Sequence, residues 1–434
     1  MKRLAGIVAL IMFSAASGCI GGGAQTRTVS VDYTSDEFPS AFLKYFPSHV
    51  FVHPGDTVLF KQAWSGEAHS VTMGTLANRL EKVAGPYFKV FEEKGYAGLP
   101  DENTLPAVKA VDDQVRYMFK NSQSGNETDV AQNGAQPCYL DQGLPPKDPD
   151  KPCTRAEQVQ PEFTGRQNWY NSGYIHYGGP TGNTFRVRIA QSATPGTYFF
   201  FCNNHGPFMH GYLTIKPKDQ KIPSQSAENK AAAREINTFA QPVGTAFHDA
   251  LANRYPVPND QVSAIRDAGL PTVQEGGKTV AHGEWFAGLG TEEGAKNPDT
   301  AFIVGFVPSK VKAKVGEKVR WVVLGKHTIS FNVPKYFPIF TIGKDGTVAR
   351  NPKLDTPAGG SPKLPESSGN GDHSGPSKPL TIDAGTWNGQ GFFSSGLIAA
   401  DSFGVYSLRV SKAGTYKFAC LVHPLMVGTL EVSP

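Results

Sequence analysis

Short stretches in which apolar and polar residues alternate recur in both halves of the chain. The first half contains "SHVFVHPGDTVLFKQ" and the second half contains "SKVKAKVGEKVRWVV", each with a turn near its middle. Alternation with a period of two predicts β-strands with one buried face. A second pair of similar stretches lies near the end of each half. The first half contains "TFRVRIAQSATPGTYFFFC" and the second half contains "GVYSLRVSKAGTYKFAC". The shared order of elements predicts an internal repeat of two mainly β units.

Insertions of different length interrupt the two units, which we place at 31–217 and 301–434. The first unit has a long insertion, 74–168, in which "TLANRLEKVAGPYFKVFEEKGYAG" and "LPAVKAVDDQVRYMFKN" predict helices. The second unit has a polar, low-complexity insertion at 335–385, which we expect to be an exposed loop. Between the units, 218–300 is predicted to be a linker that is partly helical, because it contains "SAENKAAAREINTFAQPVGTAFHDALAN".

The composition supports the prediction of two mainly β units, and the charge distribution argues against a nucleic-acid partner. A chain of 434 residues is long enough for two buried cores, and 47 glycines with 33 prolines favour a turn-rich β architecture. The formal net charge of +4 is spread along the chain without a long basic run. We therefore expect no nucleic-acid partner.

The N-terminus has the features of a targeting segment. Two basic residues precede "LAGIVALIMF", an apolar stretch too short to span a bilayer, and small residues follow it. The stretch "ASGC" resembles a bacterial lipobox, so we predict a lipoprotein signal peptide at 1–18, lipidation of Cys19 and a flexible tether at 19–30. The alternative is plain cleavage near Ala16 with Cys19 as a free thiol. The lipid anchor predicts secretion across the cytoplasmic membrane and attachment to the outer face of a membrane, on a periplasmic or extracellular side.

Four cysteines remain after Cys19. Cys138 and Cys153 lie in one loop rich in proline and aspartate, and they are predicted to form a disulfide in an oxidising compartment. Cys202 and Cys420 lie one in each half, each followed by a histidine and a methionine. A disulfide between these two would leave the matching histidines and methionines unexplained.

Each of these two cysteines ends an apolar strand and begins a loop, "CNNHGPFMHG" or "CLVHPLMVG". A thiolate and two imidazoles in a trigonal set, with a weak axial thioether, form a blue-copper electron-transfer site. One short loop cannot surround a metal ion, so a further ligand has to come from elsewhere. In each half a histidine precedes an earlier strand, His69 in "EAHSV" and His327 in "GKHTI".

With these motifs, both repeats resemble cupredoxins of the plastocyanin and amicyanin type. The resemblance covers both repeats but neither the insertions nor the linker, and it implies two Greek-key β-sandwich domains. In the second half, the spacing of "CLVHPLMVG" is amicyanin-like. The resemblance implies copper ligands His327, Cys420, His423 and Met426 there.

The first half departs from this spacing, because three residues separate His205 from Met209 where the second half has two. Alignment on the shared Met-x-Gly ending implies the ligands His69, Cys202, His205 and Met209. His210 is a possible alternative axial ligand, although a residue next to the methionine is expected to point the other way, towards solvent.

The resemblance also implies that the loop histidine reaches the surface within an apolar patch where a redox partner docks. In this chain the flanking pairs are Pro207 with Phe208 and Pro424 with Leu425. Ordinary packing within the loop is an equally good explanation of these residues.

The predicted function is one-electron transfer by two type 1 copper ions, one in each domain, with a cytochrome or a membrane oxidoreductase as redox partner. One alternative is a copper-containing oxidoreductase, such as a nitrite reductase or a multicopper oxidase. Such enzymes need histidines beside the cysteine, and here neither cysteine has one and no His-x-His pair occurs. The chain is therefore not expected to be an enzyme. A second alternative is a copper-handling or docking protein with only one functional copper site.

Overall fold

The computed structural model describes most of the chain after residue 22. The described residues are 23–63, 68–94, 132–141, 153–175, 183–252, 255–256, 272–275, 278–281, 286–290, 301–323, 326–335, 337–342, 347–364, 380–399 and 404–434. The predicted signal peptide, Cys19 and the predicted helix at "LPAVKAVDDQVRYMFKN" lie outside them. Among the described helices, none is long and apolar enough to cross a membrane.

The first half contributes eleven described strands. They are β1 (Thr26–Val31), β2 (Ser40–Phe42), β3 (Tyr45–Phe46), β4 (His49–Val52), β5 (Thr57–Gln62), β6 (Thr72–Met73), β7 (Pro137–Leu140), β8 (Trp169–Ser172), β9 (Thr184–Arg188), β10 (Gly196–Cys202) and β11 (Gly206–Ile215). One sheet has the order β3-β1-β5-β9, and the other has the order β4-β11-β10-β6-β8-β7. Apolar side chains from both sheets form one core, in which Tyr45 and Phe60 pack edge-on against Phe200. The first domain is therefore a β-sandwich.

The rest of the chain contributes the remaining described strands. They are β12 (Tyr255–Pro256), β13 (Thr272–Glu275), β14 (Lys278–Ala281), β15 (Phe286–Gly290), β16 (Ala301–Val307), β17 (Lys310–Lys314), β18 (Lys318–Val323), β19 (Lys326–His327), β20 (Ser330–Phe331), β21 (Phe340–Ile342), β22 (Val348–Arg350), β23 (Leu380–Trp387), β24 (Phe393–Ser394), β25 (Ile398–Ala399), β26 (Gly404–Val410), β27 (Gly414–Ala419) and β28 (Val427–Ser433). A sheet of order β2-β16-β15-β18-β26-β23 faces a sheet of order β17-β28-β27-β20-β24 across a second core.

Four helices are described: α1 (Thr75–Lys94), α2 (Gln132–Ala135), α3 (Gln225–Leu251) and α4 (Pro352–Asp355). The predicted helix at the start of the first insertion is confirmed as α1. Its buried residues Leu76, Leu80, Ala84 and Phe88 recur every four positions and pack over β10, in a cluster that includes Phe199. The helix predicted between the domains is confirmed as α3.

Several predicted boundaries differ from the structure. The tether was predicted to extend to residue 30, but β1 begins at Thr26 and pairs with β5 along its whole length. The predicted linker contains β12, β13 and β14, and also β15, which belongs to the second sandwich. The predicted exposed loop 335–385 contains β21, β22 and α4, and β23 begins inside it. The polar composition of these stretches is typical of loops, so it did not predict the short strands and the helix.

The two domains share a sheet, which the repeat did not predict. Strand β2, from the first domain, pairs antiparallel with β16 of the second sandwich over three residues. Helix α3 contacts both β3 and β16. The structure thus joins the domains by a strand pair and a packed helix as well as by the chain itself.

Candidate metal centres

The cysteine of each site occupies the end of a strand that neighbours hold on both sides. Cys202 is the last residue of β10, which pairs with β11 and with β6. Cys420 follows β27, which pairs with β28 and with β20. One of these neighbouring strands begins shortly after the upstream histidine: β6 follows His69 in the first domain, and β20 follows His327 in the second. The sheet therefore brings the cysteine and that histidine together although more than ninety residues separate them in sequence.

The first site brings together His69, Cys202 and His205. Their candidate ligand atoms all lie within 4.8 Å of one another. The Cys202 Sγ atom lies 4.0 Å from His69 Nδ1 and 3.5 Å from His205 Nδ1. Cys202 and His69 are fully buried, whereas His205 is half-buried. Met209 is buried in the same core cluster as Cys202.

The second site repeats this arrangement with His327, Cys420 and His423. The Cys420 Sγ atom lies 3.9 Å from His327 Nδ1 and 3.7 Å from His423 Nδ1. The two Nδ1 atoms are 3.1 Å apart, so both rings direct the same nitrogen towards one point. Met426 is buried in the core cluster that contains Cys420.

The two sites share the same backbone support. The N–H group of Ser70 points at Cys202 Sγ over 3.3 Å, and that of Thr328 points at Cys420 Sγ over 3.4 Å. The hydroxyl of each residue accepts a 2.8 Å hydrogen bond from the N–H group of the residue after the cysteine. The residue after the upstream histidine thus holds both the thiol and its loop in place.

Close packing explains why a glycine ends the shared Met-x-Gly motif in both loops. A Cβ atom on Gly211 would lie 2.5 Å from the ring of Phe200, and one on Gly428 would lie 2.3 Å from the ring of Phe418. Each aromatic ring therefore lies directly against the glycine backbone beneath the ligand loop.

His210 does not join the first cluster. Its Nδ1 atom is hydrogen-bonded to the Pro207 carbonyl over 2.8 Å, and its ring packs against Phe199 and Phe88. His210 points away from Met209 as expected, but α1 covers this face of β11 and leaves the ring half-buried instead of fully exposed. Of the two residues, only Met209 belongs to the buried core cluster that contains Cys202.

Sequence reasoning missed Asp32, a buried carboxylate behind the first site. Its Oδ2 atom lies 3.1 Å from His69 Nε2, and both side chains are fully buried. Its Oδ1 atom accepts hydrogen bonds from the N–H groups of Phe42 and Tyr33. The left-handed backbone at Asp32, with a φ of 66°, turns the carboxylate towards the histidine. Because Asp32 lies far from His69 in sequence, no local motif indicated that the two side chains would meet.

A second repeat signal was also missed, in "NSGYI" at 171–175 and "SSGLI" at 394–398. In each, the serine hydroxyl accepts a hydrogen bond from the N–H group of the residue two positions after the upstream histidine, over 2.7 Å for Ser172 and 2.9 Å for Ser395. The following glycine has a positive φ in both copies. These segments fix the strand that carries the upstream histidine.

The electrostatics of both clusters favour a thiolate. Burial raises the pKa of the Cys202 thiol, but His205 and His69 outweigh it, so the pKa is well below the ordinary value. The pKa of Cys420 is lowered in the same way, with His327 and His423 opposing burial. A soft sulfur and two imidazoles, with a thioether in the same core, form a donor set that fits copper in either oxidation state.

The expected surface patches differ between the domains. Phe208 is half-buried, because its ring packs against Tyr87 and Phe88 of α1. Leu425 and Val427 are among the most exposed large apolar side chains described, at 42% and 56% exposure.

Comparison with solved structures returns cupredoxins. An auracyanin from Roseiflexus castenholzii is 20% identical and matches 45% of this chain and 100% of its own, with a TM-score of 0.19. A purple cupredoxin from Nitrosopumilus maritimus is 17% identical over 30% of this chain and 83% of its own, with a TM-score of 0.15. A mutant fern plastocyanin is 18% identical over 44% of this chain and 99% of its own, with a TM-score of 0.16. No family model matches the chain. No curated protein matches it either.

The two β-sandwiches and the predominance of strands in the structure confirm the predicted mainly β fold class. Both sandwiches place a Cys–His–His cluster at one end of a sheet.

The predicted disulfide between Cys138 and Cys153 is also present. It lies in the cluster that packs α1 against the first sandwich.

Proposed function

We propose that this chain is an extracytoplasmic electron-transfer protein that holds one mononuclear type 1 copper ion in each of its two domains. The ligands would be His69, Cys202, His205 and Met209 in the first domain and His327, Cys420, His423 and Met426 in the second. The observation that carries the proposal is the pair of matched, largely buried Cys–His–His clusters with identical backbone support. Bound copper would supply one-electron exchange between Cu(I) and Cu(II).

The residues around each cluster suit this role. The N–H groups of Ser70 and Thr328 point at the cysteine sulfurs and favour the thiolate. Burial of both cysteines excludes water from the sulfurs. Because each cysteine lies at or directly after the end of a strand that is paired on both sides, the ligands need to move little when the charge of the ion changes.

A catalytic copper enzyme is a weaker candidate. Cys202 is flanked by Phe201 and Asn203, and Cys420 by Ala419 and Leu421, so neither cysteine has the neighbouring histidine that links a blue copper to a catalytic centre in such enzymes. Within the described residues, the groups of His, Cys, Asp and Glu able to hold a metal are the two clusters already described.

The location and partners form part of the same proposal. The disulfide between Cys138 and Cys153 supports an oxidising compartment outside the cytoplasm. Lipidation at Cys19 would hold the protein at a membrane, where a cytochrome or a membrane oxidoreductase would exchange electrons with it. The exposed Leu425 and Val427, close in sequence to His423, offer an apolar surface for that partner.

Copper content, visible absorption and electron spin resonance of the copper-loaded protein test the proposal. We expect two ions per chain, intense blue absorption and narrow copper splitting. Cys420→Ser should remove the signal of the second centre only, and Cys202→Ser that of the first only. One blue copper in the native chain would favour the alternative in which the first domain serves as a docking module. Unchanged colour per chain in either variant would contradict the ligand assignment.

A further inference from the structure

The second domain contacts the first beside the first metal site. The hairpin of β21 and β22 lies against the segment that contains α2, and the side chain of Gln132 pairs with the backbone of Val348 through two hydrogen bonds, of 2.7 and 2.9 Å. Next to this pair, the ring of Tyr174 stacks on the ring of Phe340, with centroids 4.8 Å apart and planes 27° apart. Two directional hydrogen bonds and a stacked ring pair indicate a specific contact.

Tyr174 is directly connected to the first site. Its hydroxyl donates to Asn204 Oδ1 over 3.4 Å, and the Asn204 amide is hydrogen-bonded to His205 Nε2 over 3.1 Å. The next residue, Ile175, donates its N–H group to the His69 carbonyl over 2.8 Å. Tyr174 is therefore within two contacts of one candidate ligand, and its chain neighbour bonds to another.

Phe340 is connected to the second site. It packs against the hydrophobic core of the second domain, and that core contains Cys420 and Met426. Contacts therefore run from His205 through Asn204 and Tyr174 to Phe340, which borders the core that holds Cys420 and Met426. Electrons tunnel more readily through such packed matter than through gaps filled with solvent.

Comparison of the two repeats marks Tyr174 as specific to this contact. In the repeated Ser-Gly-x-Ile segment, the first domain has Tyr174 where the second has Leu397. The serine two residues earlier makes the same hydrogen bond in both domains, so the fold does not require an aromatic ring at this position.

We infer that electrons pass between the two copper centres of one chain, with the stacked rings of Tyr174 and Phe340 as the bridge. This inference rests on the proposed function. With copper bound at both sites, the step would move one electron, so that Cu(I) at one centre would be oxidised to Cu(II) while Cu(II) at the other would be reduced to Cu(I). No covalent bond forms or breaks, and neither ring is itself oxidised.

Pulse radiolysis of the copper-loaded full chain tests this step. A radical reductant first reduces a fraction of the centres, and the electron then redistributes, which absorbance follows against the reference spectra of Cys202→Ser and Cys420→Ser. We expect a redistribution phase whose rate does not depend on protein concentration. Tyr174→Leu and Phe340→Leu should each slow it by about tenfold, because leucine leaves a gap where the rings were in contact.

Phe337→Leu is the matched control. Phe337 also packs against the second core, but its ring pairs with Phe392. This variant should leave the rate unchanged. Two coppers per chain without a concentration-independent phase, or equal rates in all three leucine variants, would overturn the inference and leave the proposed function intact. Fewer than two coppers in the native chain would overturn both.

Discussion

Asp32 and Ser70 belong to the surroundings of the first site without being candidate ligands. Ser70 supports the thiol directly, and Asp32 holds the far side of the His69 ring. Burial lowers the pKa of His69, but the hydrogen bond to Asp32, with that to Cys202, outweighs it and the pKa is raised. A carboxylate at Nε2 fixes the ring so that Nδ1 faces the sulfur, and it strengthens that nitrogen as a donor.

Asp32→Asn is therefore expected to weaken copper binding at the first site by about 10- to 100-fold, the usual effect of removing such a partner. It should also raise the reduction potential of that centre, since a weaker nitrogen donor stabilises Cu(II) less. Titration against a competing chelator gives the affinity, and redox titration gives the potential.

Asp36→Asn is the control for this change, at an exposed position of the same segment. The second centre provides an internal reference in both variants. Equal affinity of the first site in Asp32→Asn and the native protein would show that Asp32 has only a structural role.

Helix α3 is held against the first domain by two carboxylates, of which Glu228 is buried and Glu235 is half-buried. Glu235 accepts hydrogen bonds from the N–H and hydroxyl groups of Ser48, and Glu228 accepts one from the N–H group of Phe51. Burial raises the pKa of Glu235, and the bonds to Ser48 only partly offset that effect. The protonated form is thus favoured more in the folded protein than in the unfolded chain.

The raised pKa of Glu235 makes the stability of the folded protein depend on pH. The contribution of Glu235 to stability is fully present below its pKa in the unfolded chain, and it is lost as the pH rises through the higher pKa of the folded state. Glu235→Gln should therefore reduce the loss in the free energy of unfolding of the copper-free protein between pH 5 and pH 7. Urea unfolding at both pH values measures this. The exposed Glu37→Gln is the control, and an equal loss in both variants would contradict the assignment.

At the scale of the whole molecule, patterns that are local in sequence predicted much of the fold. The ligand loops lie within ten residues of their cysteines, and the stripe from Leu76 to Phe88 predicted α1. Contacts between distant segments were not predictable in this way. The β2–β16 pair joins residues about 260 positions apart, and β21 and β22 lie in a stretch whose polar composition resembles a loop.

The shared sheet predicts how the chain unfolds. Because β2 completes the sheet of the second sandwich, and α3 packs on both domains, loss of one domain exposes apolar surface of the other. We expect one calorimetric transition for the copper-free protein. Two transitions, well separated in temperature, would show that the domains unfold independently.

The β2–β16 pair also bears on how the protein would deliver electrons. Many multidomain redox proteins depend on a tethered module that swings between its donor and its acceptor, so the viscosity of the solvent limits their turnover. Here backbone hydrogen bonds hold the second domain against the first, and the separation between the two sites is set when the chain folds. The internal step would then proceed at the same speed in a crowded, viscous solution as in dilute buffer, and diffusion would govern only the encounter with outside partners.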